Sequence, residues 1–375
     1  MKRAKDIYIK IIDEANILAA IEEVNSTHRW NQGHKPNRTV LWVESTKPDR
    51  VKEIREIIEN GFTPAPPRHR RIYDQAAGKW RDICEPKLYP DQYIHHAVIQ
   101  VLTPIMMKGM DKWCCGSIRK RGTHYGAKAI KKWMKKDHRG TKYSLELDIK
   151  HFYDSIEPRY VMRRMRHLIK DGKALRLIET LIQDGILIGC YFSQWFANTL
   201  LQPLDRLIRE SGLCTHYLRY MDNFSIYGPN KRSLRKLFHL IAGWLRENGL
   251  RVKENWQTFK ITKRRLPNAL GYRYGRGFTF IRKNTLLRIK RKLKTIYRLT
   301  DTSAKLPFKM VNGMMSRLGR LKHCNSKELR GRLLRQNFVR MLKNIIRKHQ
   351  KSEVTQWNTV LQKYMERKSF VPSPA

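Results

Sequence analysis

Residues Tyr217-Leu218-Arg219-Tyr220-Met221-Asp222-Asn223-Phe224-Ser225-Ile226-Tyr227-Gly228 alternate apolar and polar side chains on both sides of an Asp-Asn pair. That period of two predicts a β-hairpin, with Asp222-Asn223 at its tip because short polar side chains bond their own backbone and tolerate unusual φ. Upstream, the run Ser144 to Ile149 predicts a strand that enters a turn just after Asp148. Placed side by side in one sheet, the strand end and the hairpin tip bring Asp148 and Asp222 together. Two close carboxylates repel each other unless cations lie between them. Hard oxygen ligands suit Mg²⁺ or Mn²⁺, and two such ions roughly 3.5–4 Å apart activate a 3′-hydroxyl and stabilise a leaving pyrophosphate. An Asp-Asn turn standing alone is an ordinary surface turn; the second carboxylate raises it above that.

The chain carries 78 Lys and Arg against 32 Asp and Glu, a net charge of +46. So large a charge opposes compaction and attracts phosphate backbones, which makes nucleic acid the expected partner. An anionic membrane surface would favour one basic block beside an amphipathic anchor, whereas here the basic residues are spread along the chain. No signal peptide or membrane-spanning run is found, and the six cysteines, without zinc spacing, read as reduced thiols of a cytoplasmic protein.

Asp148 with its following Ile149, and Asp222 in Tyr220-Met221-Asp222-Asn223, resemble motifs A and C of the reverse transcriptase palm. Between them, Gly185-Ile186-Leu187-Ile188-Gly189-Cys190-Tyr191-Phe192-Ser193-Gln194-Trp195-Phe196-Ala197-Asn198 resembles motif B. The order A, B, C along one chain is far more specific than any one box. The Ile-Gly-x-x-x-Ser-Gln form resembles bacterial retroelement enzymes of the diversity-generating type. The resemblance implies an α+β right-hand polymerase fold with fingers, an antiparallel palm sheet and a helical thumb. It also implies two Mg²⁺ (or Mn²⁺) ions on Asp148, Ile149 and Asp222. Where the family box ends in a second Asp, this chain has Asn223, which keeps one oxygen but loses a charge, so metal affinity is expected to fall.

Other positions follow from the same resemblance. Lys79 and Arg81, on a predicted basic hairpin, match cations that meet the incoming triphosphate, although a solvated face gives the same pattern. Tyr153, five residues beyond Asp148, matches the aromatic that blocks a ribose 2′-hydroxyl. Ile188, Gly189, Gln194, Tyr220 and Met221 match the nucleotide pocket, with glycine expected where backbone nears the nucleotide, Gln194 and Asn198 facing one side, and Ile188 linked to misincorporation opposite adenine. Arg119 and Arg121 precede a Gly-Thr-His segment opening a helix, a setting for a template phosphate. Gly249 to Phe259 resembles motif D, with Lys253 the candidate acid for pyrophosphate. Leu270-Gly271-Tyr272-Arg273-Tyr274 resembles the primer grip, and Arg291 and Lys294 lie on the basic face of a thumb helix.

Periodicity predicts one helix over residues 7–21, another from Val51 to Ile58, a helix capped by Asp91 and ended by Pro104, and a thumb helix opened by an Asn325/Glu328 capping box. His95 and His96 read as packing residues. The expected domains are an N-terminal extension with fingers and part of the palm over 1–140, the palm with motifs A to E over 141–280, the thumb over 281–367 and a tail over 368–375. Expected partners are template RNA, primer or cDNA, deoxynucleoside triphosphates, and a basic accessory protein or structured noncoding RNA. Three roles remain open: diversity generation, antiphage defence with an associated noncoding RNA, and an RNA-binding homologue weakened in catalysis at Asn223.

Overall fold

The structure, a computed structural model, describes residues 3–31, 35–74 and 78–369. The chain opens with α1 (Ile7–Ile11), α2 (Glu14–His28), α3 (Arg38–Ser45) and α4 (Lys47–Glu59). The single helix expected over 7–21 is two: Asp13 breaks it and accepts a hydrogen bond from the Ala15 N–H (2.8 Å), capping α2. Strands β1 (Arg68–Asp74) and β2 (Lys79–Glu85) form an antiparallel hairpin, followed by α5 (Tyr93–Lys108). Ile17, Ile21, Val24 and Ile54 bury against Tyr93, Ile94, Val98 and Leu102 of α5, so the N-terminal helices form one core with the domain that follows. Asp91 does not cap α5; buried, it accepts from the Ala65 N–H at 3.0 Å. Pro104 lies inside the helix rather than ending it.

Next come α6 (Thr123–Lys136), β3 (Tyr143–Asp148), α7 (Pro158–Leu168), α8 (Gly172–Leu181), α9 (Ser193–Leu200) and α10 (Gln202–Glu210). They are followed by β4 (His216–Tyr220), β5 (Asn223–Gly228), α11 (Lys231–Glu247), β6 (Gln257–Lys260), β7 (Asn268–Ala269), β8 (Tyr272–Tyr274) and β9 (Thr279–Ile281). The antiparallel order β4-β5-β3-β6 makes the central sheet, and β7-β8-β9 a smaller one. Alternation decides which core each strand residue joins. Leu145, Leu147, Phe224 and Ile226 bury with Leu234, Leu237 and Ile241 of α11, whereas Leu218, Tyr227 and Phe259 bury with Ile130 and Trp133 of α6 and Tyr272 of β8. The backbone of residues 113–115 lies along β4: Arg219 N–H donates to the Trp113 carbonyl (3.1 Å) and Cys115 N–H to the Arg219 carbonyl (2.8 Å).

The thumb contains α12 (Lys283–Asp301), α13 (Phe308–Leu321), α14 (Lys327–Leu333) and α15 (Phe338–Ser369) around Ile289, Leu293, Ile296, Val311, Met314, Leu318 and Leu342. The helix expected from Asn325 onward is α14 and α15, parted by a turn in which Asn337 has φ 58°. Asn325 does not cap α14: its side chain accepts from the Thr279 N–H (2.8 Å) and its own N–H donates to the Thr279 carbonyl (2.9 Å), tying thumb to β9. The far end of α15 returns to the N-terminal helices. Trp357 is buried with Val40 and Leu41 of α3, and its ring meets Trp30 edge-on at 5.7 Å. The arrangement is α+β, a right hand of fingers hairpin, antiparallel palm and helical thumb, as the motif order anticipates. The six cysteines are free thiols, and no helix among the described residues is long and apolar enough to cross a membrane. Of the tail expected over 368–375, residues 368 and 369 end α15 and the rest lies outside the described residues.

Candidate active site

Antiparallel pairing of β3 with β5 puts Asp148 opposite Asn223, and the Ile149 N–H donates to the Asp222 carbonyl at 3.1 Å. The turn is centred on Met221-Asp222, since Tyr220 pairs with Asn223; Met221, with φ 54°, takes the left-handed conformation. Asp222 is pushed up to about 6, first by burial and then by the Asp148 charge, while Lys253 opposes the rise. The Lys253 N–H donates to the Asp148 carbonyl (2.8 Å) and its ammonium pairs with the Asp148 carboxylate. The exposed Asn223 donates its amide N–H to Asp222 Oδ1 (3.2 Å).

This donor set fits a divalent cation. Mg²⁺ needs only one or two protein carboxylates when waters and substrate phosphates complete its shell. Two carboxylates converge, with Ile149 next in the chain, and no cluster of three acidic, His or Cys ligands occurs among the described residues. The Lys253 ammonium supplies the counter-charge that the pair requires.

Tyr153 lies half-buried at the same place. Its phenol is pushed well up by burial and then by the Asp222 charge, with Arg81 pulling the other way and Tyr220 adding a smaller rise. Tyr153 therefore lies within electrostatic reach of Asp222, Tyr220 and the fingers cation Arg81. Lys79 sits two residues before Arg81 in β2, opposite Asp74 in register; its side chain lies outside what is described.

The segment 185–198 that resembles motif B is fastened to the β1–β2 hairpin. The Cys84 N–H of β2 donates to the Ile188 carbonyl at 2.7 Å. Gly189 has φ +118°, and a Cβ there would fall 2.0 Å from the Cys84 carbonyl oxygen, so the close approach that demands glycine is to the β2 backbone. Ser193 donates to the Leu187 carbonyl (2.6 Å), which shapes the loop into α9. Ile188 is half-buried and Gln194 exposed, but Asn198 is buried and does not share the exposed side with Gln194. It donates to the Gly116 carbonyl (2.9 Å) and accepts from Arg219 (2.8 Å). Within the segment from Gly249 to Phe259, Trp256 stacks on Phe238 at 3.6 Å and Gln257 donates to Glu146 at 3.1 Å.

Of the candidate nucleic-acid contacts, Arg119 is exposed, whereas Arg121 donates to the Asp111 carbonyl (2.8 Å) and braces its loop. Gly271 has φ 88° in the turn between β7 and β8. Tyr272 is buried, 1% exposed, with its hydroxyl on the Arg320 carbonyl (3.0 Å), so its side chain joins palm to thumb and is closed to a primer. Arg291 and Lys294 are exposed on α12, lining a cavity of about 820 Å³ with Arg298, Arg332 and Tyr297.

Sequence reasoning missed Arg219 and Asp205, a fully buried ion pair behind the hairpin (2.6 Å). The available signal was a charged residue between Leu218 and Tyr220 in an otherwise buried strand.

The sequence profile of the family described as reverse transcriptase (RNA-dependent DNA polymerase) matches residues 69–273. The chain is 21% identical over 251 residues to protein YkfC of Escherichia coli (strain K12), a match covering 63% of this chain and 59% of that protein. It thus spans less than two thirds of that relative's length. Similar solved structures include telomerase from Candida albicans in complex with a fragment of telomeric RNA, with TM-score 0.44, 13% identity, and 88% of this chain and 63% of that one covered. Another is apo telomerase from Candida tropicalis truncated from its C-terminal domain, with TM-score 0.40, 14% identity, and coverage of 60% and 56%. The profile match runs from β1 to β8, over more than half of the chain, and on it the chain belongs to the reverse transcriptase family.

Proposed function

We propose that this chain is an RNA-directed DNA polymerase that extends a primer or cDNA on an RNA template with deoxynucleoside triphosphates. The observation that carries the reading is the convergence of Asp148 and Asp222 beside Tyr153 and Arg81. Asp148 and Asp222, with the Ile149 carbonyl, would hold two Mg²⁺ or Mn²⁺ ions. When bound, such ions lower the pKa of the primer 3′-hydroxyl and neutralise the leaving pyrophosphate. Tyr153 closes the space that a 2′-hydroxyl needs, and Arg81, with Lys79, offers positive charge to the triphosphate. Lys253, whose ammonium pairs with the Asp148 carboxylate, would serve as the proton donor to the leaving pyrophosphate once that carboxylate holds a cation. Arg119, the Gly271 turn, Arg291 and Lys294 give a basic path for template and primer phosphates.

Motif B, with Ile188-Gly189 and Ser193-Gln194, supports a diversity-generating retroelement enzyme working with a basic accessory protein and a structured RNA. The second reading is a defence enzyme copying an associated noncoding RNA. The free thiols support a reducing, cytoplasmic setting. A third reading, an RNA-binding homologue, rests on Asn223 alone, while Asp148, Tyr153 and Asp222 stand against it.

The test is primer extension on an RNA template, comparing wild type with Asp222→Ala and sequencing the products. Extension abolished in the variant, with errors concentrated opposite adenine, is the expected result. No extension by wild type in either metal, with its copurifying RNA present, would favour the RNA-binding homologue.

A further inference from the structure

Arg219 is fully buried in the middle of β4, in the strand that delivers Asp222. A guanidinium removed from water must have its donors satisfied, and the way this one is satisfied is informative. Nε and Nη2 donate to the two oxygens of Asp205 on α10 at 2.7 and 2.6 Å. Tyr217 places its hydroxyl on the same carboxylate. Nη1 points the other way and donates to Asn198 Oδ1 at 2.8 Å and to the Met221 carbonyl at 3.1 Å.

Met221 is the left-handed residue immediately before Asp222, and its side chain lies against Gly116: a Cβ on that glycine would fall 2.6 Å from Met221 Cγ and Sδ. The Gly116 carbonyl in turn accepts from Asn198 Nδ2 at 2.9 Å. Arg219, Met221, Gly116 and Asn198 thus close a ring of contacts behind the catalytic turn, and through Asn198 that ring includes the motif B helix α9. An ion pair kept only to fill the core would not need its third nitrogen on the carbonyl of the turn.

We propose that Arg219 is a positioning residue: by holding the Met221 carbonyl it sets Asp222 relative to Asp148 and locks that setting to motif B. The inference rests on the polymerase reading for its effect on rate, but not for its effect on metal binding. Three full-length variants test it. Arg219→Lys keeps a cation for Asp205 but cannot reach Asn198 and Met221 together. Arg219→Met with Asp205→Leu replaces the buried pair by apolar side chains, an exchange that is often neutral or stabilising, and removes the donor to Met221. Tyr217→Phe removes a bond to Asp205 without touching the turn.

Mn²⁺ affinity by electron paramagnetic resonance, thermal melting, and kcat and KM for a deoxynucleotide are measured on each. The paired variant is expected to melt near wild type yet bind Mn²⁺ about tenfold more weakly. Its kcat is expected to fall on the order of a hundredfold with KM within about twofold. Arg219→Lys should show the same split, and Tyr217→Phe should leave Mn²⁺ affinity unchanged. A folded paired variant with wild-type Mn²⁺ affinity would reduce Arg219 to a core ion pair, and so would a Tyr217→Phe loss as large as that of Arg219→Lys. Should the paired variant not fold, Arg219→Lys decides by the same criteria. If wild type binds Mn²⁺ but extends no primer, the polymerase reading fails while the Mn²⁺ arm still decides the role of Arg219.

Discussion

Replacing Asn223 by aspartate restores the carboxylate that the family carries there, and the geometry fixes the sign of the outcome with and without metal. Asn223 Nδ2 lies 3.2 Å from Asp222 Oδ1, so Asn223→Asp exchanges a donor for a like charge at nearly that distance. At about 4 Å two unit charges interact by about 1 kcal/mol in water and about 4 kcal/mol at an effective dielectric of 20; with residue 223 exposed, the lower figure applies. A repulsion of about 1–1.5 kcal/mol raises Asp222, already at about 6, by roughly one further unit. Without metal, the variant should therefore lose about 1 kcal/mol of stability above neutral pH, where both groups are ionised. The loss should vanish as acid protonates Asp222. With metal, the same charge becomes attractive, and Mg²⁺ affinity should rise about tenfold for each 1.4 kcal/mol gained. Melting at pH 8 with chelator and with saturating Mg²⁺, together with primer extension in each metal, reads both effects. Wild type should work better in Mn²⁺ than Mg²⁺, and the variant should narrow that gap. Identical melting with chelator and an unchanged Mg²⁺ requirement would refute the electrostatic coupling; a lower rate in both metals would show a site adapted to the amide.

Tyr153→Ala should admit ribonucleotides, read as a rise in their incorporation relative to deoxynucleotides; unchanged sugar selectivity would remove Tyr153 from that role. Gly189→Ala puts a Cβ into the Cys84 carbonyl at a left-handed φ, so it should cost about 1–3 kcal/mol and free the fingers hairpin, read by thermal melting and by hydrogen exchange of the Cys84 amide. A neutral effect would mean that β2 yields without cost. The Asp222 carboxyl, raised to about 6 from 3.8, favours the metal-free folded chain while protonated, a contribution lost as pH rises through about 6. Since Mn²⁺ displaces that proton, apparent affinity should rise about tenfold between pH 5 and 7, and a flat profile by paramagnetic resonance would mean that Asp222 is ionised throughout.

The palm was legible because its cues are local. Period-two alternation on both sides of Asp222-Asn223 gives the hairpin, although its turn lies one residue earlier, on Met221-Asp222, because Asn223 is drawn into pairing with Tyr220; the acidic end of β3 and the basic helix of the thumb are legible in the same local way. What was missed depends on partners far away in the chain. Nothing near Asp91 announces that its carboxylate is taken by Ala65, and Asn325 satisfies the capping pattern while bonding Thr279 instead. Gly189 is expected where backbone nears a nucleotide, and the neighbour in this structure is the Cys84 carbonyl, more than 100 positions earlier in the sequence. Tyr272 and Asn198 are buried by partners distant in the chain, Arg320 for the one and Gly116 for the other. The pattern of Val40 and Leu41 is too short to signal a helix whose apolar face is completed by Trp357, Val360 and Leu361, more than 300 positions later.

That last contact has a topological consequence. Palm is joined to thumb through β9 and Tyr272, the thumb's last helix α15 to α3 through Trp357, and α3 through its neighbours back to α5 and the palm, so the packed elements form a closed circuit. In such a circuit no element hangs by a single joint: the seam of Trp357, Val360 and Leu361 on Val40 and Leu41 holds the far end of α15 a second time, at a distance along the chain from the Asn325–Thr279 tie that holds the start of the same helical unit.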